Sequence, residues 1–183
     1  MPARLWPAVG SILFLVIAPG TVAGLIPYQI SRWRLREPYL GFAGFRVLGV
    51  LLVLVGISIL LDSFGRFAVQ GLGTPAPVYP TKSLVVSGWY RYVRNPMYVA
   101  VLWTVLGQAL LFGSQSLLWY FAALAVGFHV FVMAYEEPTL RARYPAEYAT
   151  YCAHVRRWWP RFTPWHGNDP PQRAEAHSPP CCG

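Results

Sequence analysis

Apolar residues run along this chain in blocks too long for a soluble fold. No Asp, Glu, Lys or Arg interrupts Leu5 to Ser31, Val47 to Leu61, or Asn95 to Tyr135. A helix that crosses a bilayer needs about 20 such residues. The last block exceeds that, and it reads as two helices turning at Gly113-Ser114-Gln115-Ser116, where glycine and serine break the apolar pattern. The pattern therefore predicts four transmembrane helices, near residues 6–26, 42–61, 97–113 and 117–135, in an all-α integral membrane bundle. The first run also resembles a secretory signal, with one Arg before it and small residues at Thr21-Val22-Ala23. Its continuation to Ile30 favours a retained helix.

Beyond Pro138 the period changes. Leu140, Tyr144, Tyr148, Tyr151, Val155 and Trp158 recur at spacings of four and three. This predicts a helix over 139–158 whose aromatic stripe lies on the membrane interface. Between the second and third spans, Gly71-Leu-Gly-Thr-Pro-Ala-Pro77 and Tyr79-Pro80 resist regular structure and predict an ordered connector. From Pro164 the apolar pattern gives way to Pro, His, Gly and charged residues. The expected organisation is one membrane domain over 1–163 and a disordered tail over 164–183.

Composition supports the membrane reading, with 55% hydrophobic and 12% charged residues. The sign of the charges then orients the spans. With four helices, Arg4, Arg66, Lys82, Arg91, Arg94, Arg141, Arg143, Arg156, Arg157, Arg161 and Arg173 share one side, against Arg32, Arg34 and Arg36 opposite. The positive-inside rule places both termini in the cytoplasm. A net charge of +8 spread beside the spans fits contact with anionic membrane lipids and no nucleic acid. Cys152, Cys181 and Cys182 show no metal-ligand spacing, and the adjacent pair forms no structural staple, so neither a metal nor a disulfide framework is expected.

Candidate chemistry gathers at the ends of the 97–135 hairpin. A basic, proline-containing corner, Arg91 to Tyr98, precedes it, and Glu136-Glu137 follows it. A chain that crosses and returns brings both to one membrane face. Adjacent helical residues point about 100° apart, so at most one of the two carboxylates faces a given pocket. His129 precedes Glu136 by seven residues, nearly two helical turns, inside the apolar span. It is a candidate base or a hydrogen-bonding residue between helices.

In order and spacing these pieces resemble the isoprenylcysteine carboxyl methyltransferase family, and more broadly the phospholipid methyltransferase-like group of integral membrane methyltransferases. The resemblance rests on Arg94-Asn95-Pro96-Met97-Tyr98, the hairpin, Glu136-Glu137, Tyr148-Ala149-Thr150-Tyr151 and Val155-Arg156-Arg157-Trp158-Trp159-Pro160. It covers roughly residues 65–161. Asn95 stands where the family more often carries His.

The resemblance implies methyl transfer from S-adenosylmethionine to a lipophilic acceptor at the cytoplasmic face of a bacterial inner membrane. It implies Arg94, with Asn95 and Pro96 beside it, against the cofactor carboxylate. Glu136 or Glu137 would take the ribose hydroxyls or the amine, and Tyr98, Tyr148 or Tyr151 the adenine or sulfonium. His129 and Glu136 are the candidate catalytic groups. A prenylcysteine carboxylate, a phospholipid amine and a thiol are all compatible acceptors. Two other readings compete: an NADPH-dependent enzyme of the sterol-reductase type, and a non-catalytic scaffold in which Arg94 and Glu136 merely pair. As pocket charges, Arg94 and Glu137 are expected to be replaceable by Ala without loss of the fold.

Overall fold

A computed structural model describes residues 17–70, 84 and 86–167. Among them the regular structure is entirely helical, with no strand. Helix α1 covers 17–31, α2 Gly44–Gln70, α3 Pro96–Phe112 and α4 Gln115–Phe131. A π-helical turn, Val132–Glu136, joins α4 to α5, Glu137–Arg143, and α6 follows at Pro145–His154. Two stretches are long and apolar enough to cross a membrane, Gly44–Arg66 and Gln115–Arg143, while Pro96–Phe112 is apolar but shorter. The expected start of the first span and residues 71–83 and 85 of the connector lie outside the described residues. So does the tail beyond 167.

Both π turns have a proline as their cause. Proline lacks an N–H and its ring clashes with the carbonyl four residues earlier, so the helix before it must widen or break. In α1 the turn Thr21–Leu25 precedes Pro27, and the Ile26 N–H reaches back to the Thr21 carbonyl. The Ala23 carbonyl, which Pro27 cannot serve, accepts instead from Gln108 Nε2 at 2.6 Å, and the neighbouring Val22 carbonyl accepts from the Tyr120 hydroxyl at 2.9 Å. The buried Gln108 in apolar α3 thus ties α1 to the hairpin. Pro138 repeats the device at the end of α4, where the Glu137 N–H bonds the Val132 carbonyl.

Helices α2 and α3 pack most extensively, and small residues allow it. A Cβ added to Gly49 would meet the Gly107 carbonyl oxygen at 2.7 Å, and one on Gly56 would meet the Ala100 carbonyl oxygen at 2.7 Å. The backbones themselves are in contact. The hairpin turn is made by Gly113 in the left-handed region at φ 62°, where a Cβ would strike the Glu37 carbonyl oxygen at 2.4 Å.

Three expectations are corrected. Helix α2 continues past residue 61 to Gln70, because Asp62 and Arg66 pair one turn apart at 2.8 Å and carry the helix into polar surroundings. The helix expected over 139–158 is broken at Tyr144 (φ −131°, ψ 63°), because the following Pro145 excludes the helical conformation for its predecessor, and it ends at His154. Its aromatic stripe faces the protein rather than the membrane interface: Tyr148, Tyr151 and Val155 are buried in one cluster with Trp165. Packing therefore continues past residue 163, where a tail was expected to begin.

Candidate functional site

The hairpin brings its two polar ends together, as its length demands. Glu137 on α5 is 4% exposed and sits among three guanidinium groups. Arg157 donates from Nε to Oε1 at 2.6 Å and from Nη2 to Oε2 at 3.0 Å, a bidentate fork. Arg94 donates from Nη1 to Oε1 at 3.2 Å and to Cys152 Sγ at 2.8 Å. The more exposed Arg141 lies 3.5 Å away, one turn along α5. Such partners offset the cost of burying a carboxylate.

The adjacent carboxylate points elsewhere, as residues about 100° apart must. Glu136 Oε2 accepts from the Tyr98 hydroxyl at 2.9 Å, and the Tyr98 ring packs on Phe128 with centroids 4.8 Å apart. Tyr98 stands in the first turn of α3, whose first residue is Pro96, where a missing N–H costs nothing. The scaffold pairing imagined from sequence was Arg94 with Glu136; the observed pairing is Arg94 with Glu137.

His129 and Glu136 do not share a partner. The π turn between them displaces the helix beyond it by about one residue in register, so a spacing of seven no longer means one face. His129 is on an exposed face of α4, and its Nδ1 accepts from Trp158 Nε1 at 3.2 Å. Trp158 belongs to an irregular segment, 155–167, that folds back over the residues before α3. Main-chain bonds fasten it: the Arg94 N–H to the Arg156 carbonyl, the Arg161 N–H to the Tyr92 carbonyl, and the Trp165 N–H to the Arg91 carbonyl, each at 2.9–3.0 Å. Asn95 Nδ2 adds a bond to the Arg157 carbonyl at 3.2 Å, and Arg91 contacts the Trp165 carbonyl and His166.

Tyr148 and Tyr151 are wall rather than lining. Tyr151 donates to the Tyr90 carbonyl at 2.6 Å, and its ring lies 5.7 Å from that of Trp165. Burial pushes the hydroxyls of Tyr90, Tyr148 and Tyr151 above the usual phenol range, with Glu136 and Tyr98 adding to the effect at Tyr90. Leu84 and Val86, from the described end of the connector, pack on this cluster. Beside it opens a cleft of about 710 Å³ whose lining includes Arg66, Arg91, Glu147, Thr150, Trp165 and His166. None of the residues proposed from sequence lines that cleft.

Sequence reasoning missed Arg157 as the principal partner of Glu137. Its signal was present as the basic end of the last motif, but nothing in local spacing links residue 157 to residue 137 when a broken helix lies between them. Among the described residues the regular structure is helical, and its two bilayer-length apolar stretches fit a membrane protein. The phospholipid methyltransferase family profile matches residues 45–147, more than half of the chain, and the chain belongs to that family of membrane methyltransferases. No curated protein and no solved structure gives a match.

Proposed function

We propose that the protein transfers a methyl group from S-adenosylmethionine to a lipophilic acceptor at the cytoplasmic membrane face, with four spans, both termini cytoplasmic and a prenylcysteine-like carboxylate as the preferred acceptor. The observation that carries this reading is the Tyr98–Glu136 hydrogen bond beside the caged Glu137, which gathers both polar motifs of a methyltransferase family at one mouth.

The donor set fits the cofactor. Its carboxylate calls for a guanidinium, its amine and ribose hydroxyls for a carboxylate, and its adenine for an aromatic face. Arg91, Glu147 and Thr150 in the cleft and Glu136 at the hairpin mouth supply the polar groups. Trp165 supplies the ring, and its buried Nε1 has no hydrogen-bond partner among the described residues. When bound, S-adenosylmethionine contributes an electrophilic methyl on a sulfonium. The protein needs no nucleophile of its own for such a displacement; it aligns acceptor and methyl carbon and keeps water away. In this reading Arg94, Glu137 and Arg157 hold the mouth rigid, Tyr98 fixes the Glu136 carboxylate, and the segment 155–167 covers the site.

His129, with its Nδ1 lone pair taken by Trp158, is poorly placed as a base. That favours an acceptor that is already ionised, a carboxylate, over an amine or thiol that must first lose a proton. The test is calorimetric binding of S-adenosylmethionine and S-adenosylhomocysteine to the purified full chain, with NADPH as competitor. Labelled methyl transfer to a prenylated cysteine or an amine-bearing phospholipid then ranks the acceptors. Micromolar cofactor binding unaffected by NADPH is expected. Displacement by NADPH would point to a reductase, and absence of binding to a scaffold.

A further inference from the structure

The aromatic stripe expected to touch the membrane is buried, yet large apolar groups nearby are not. Trp159 is 75% exposed and Phe162 fully exposed, although the first lies between, and the second beside, two backbone positions that are fixed. The Arg156 carbonyl is held by the Arg94 N–H and the Arg161 N–H holds the Tyr92 carbonyl, so residues 157–160 form an arch between two anchored feet. Pro160 stiffens it. Exposed tryptophan on a fixed arch is not loop scatter, because folding has already spent the entropy needed to present it.

The position of the arch identifies what covers it. Trp158 reaches His129, which lies on the exposed face of the bilayer-length stretch Gln115–Arg143, roughly 10 Å of helix before Glu136 at 1.5 Å per residue. The arch therefore hangs over the outer side of a spanning helix at its polar end, the level at which tryptophan concentrates in membrane proteins. Its charge has one sign. No Asp or Glu occurs between Glu147 and Asp169, while Arg156 is exposed and Arg161 is partly exposed. The side chain of Arg157, by contrast, is consumed by Glu137.

We propose that the 157–160 arch, with Phe162 beside its second foot, is a preformed anchor for an anionic bilayer surface, with Trp159 and Phe162 inserted at the headgroup level and Arg156 and Arg161 against lipid phosphates. The occupant is lipid rather than a protein because Trp158, next to Trp159, bonds His129 on the exposed face of a bilayer-length apolar helix. The arrangement joins the cover of the site to the bilayer, so lipid charge acts on the same segment that carries Arg157.

The full chain in lipid nanodiscs tests this by tryptophan quenching. Lipids brominated near the headgroup should quench wild-type emission more than Trp159→Phe emission, and lipids brominated near the chain end should not distinguish the two. Trp119→Phe on the exposed face of α4 serves as the spanning-helix control. At equal mole fraction, brominated phosphatidylglycerol should quench the Trp159 contribution more than brominated phosphatidylcholine. Arg156→Gln should cut that excess about fivefold, from about 1 kcal/mol per surface arginine. A Trp159 contribution reached by acrylamide and untouched by either brominated lipid would overturn the proposal. So would protection of Trp159 that appears only as the chain dimerises. Equal quenching by both headgroups would overturn the anionic preference.

Discussion

Replacing Glu137 with alanine removes a carboxylate in contact with two largely buried guanidiniums. The side chain of Arg94 is 8% exposed and that of Arg157 25%, whereas that of Arg141 is 41% exposed and contributes little. Breaking a buried pair by deleting one partner costs about 3–5 kcal/mol, because the remaining charge stays desolvated. For a chain of this size each kcal/mol moves the melting temperature by about 2–4 °C, so Glu137→Ala should melt about 6–20 °C below wild type. Arg141→Ala should shift it by less than about 4 °C. This replaces the sequence-based expectation that Glu137 and Arg94 are pocket charges whose loss spares the fold. Circular dichroism of the purified protein in detergent gives the melting temperatures, and calorimetry gives cofactor affinity. A Glu137→Ala protein that melts within about 2 °C of wild type and has lost only cofactor binding would refute the cage and restore Glu137 as a ligand.

Tyr98→Phe keeps the ring on Phe128 but leaves Glu136 without its donor; cofactor affinity should fall about tenfold while melting shifts by only about 1 kcal/mol, and unchanged affinity would remove Glu136 from the site. The alkaline limb should show a cooperative step. Tyr90, Tyr148 and Tyr151 keep their protons in the fold while unfolded phenols lose theirs near pH 10, so stability is full below that value and falls as pH rises above it. Phenolate absorbance for these three should appear together with unfolding, and independent titration near pH 10 would contradict their burial. Gly107→Leu should separate α2 from α3, since even a Cβ would lie 2.6 Å from the Gly49 carbonyl oxygen, and should cost more than the usual 1–3 kcal/mol of overpacking; a thermal melt equal to wild type would show that the helices are not in backbone contact.

The hairpin was legible because two independent signals agree on it, Pro96 at the first helical position and Gly113 at the turn. The meeting of Arg94 with the Glu136-Glu137 pair followed from hairpin length alone. What escaped were interruptions written in single prolines. Pro27 and Pro138 each announce a widened turn and Pro145 a break, but periodicity averages over a window and passes through them. The inward orientation of Tyr148 and Tyr151 depends on Trp165, a residue in what composition reads as tail. Arg157 escaped for a related reason: its contact with Glu137 depends on main-chain bonds to residues 92–95, which no local pattern encodes.

The cage around Glu137 also has an order in time. Chain synthesis delivers Arg94 first, then the hairpin, then Glu137 with Arg141 close behind, and Arg157 only after α6. A carboxylate at the end of a spanning helix thus meets its first counter-charge in the turn before a helix already made, and its bidentate partner last. The bidentate fork is therefore also the contact that ties the covering segment to the end of the spanning helix. Until residue 157 is made, Glu137 has Arg94 and Arg141 within reach but lacks the fork that joins it to the cover of the site.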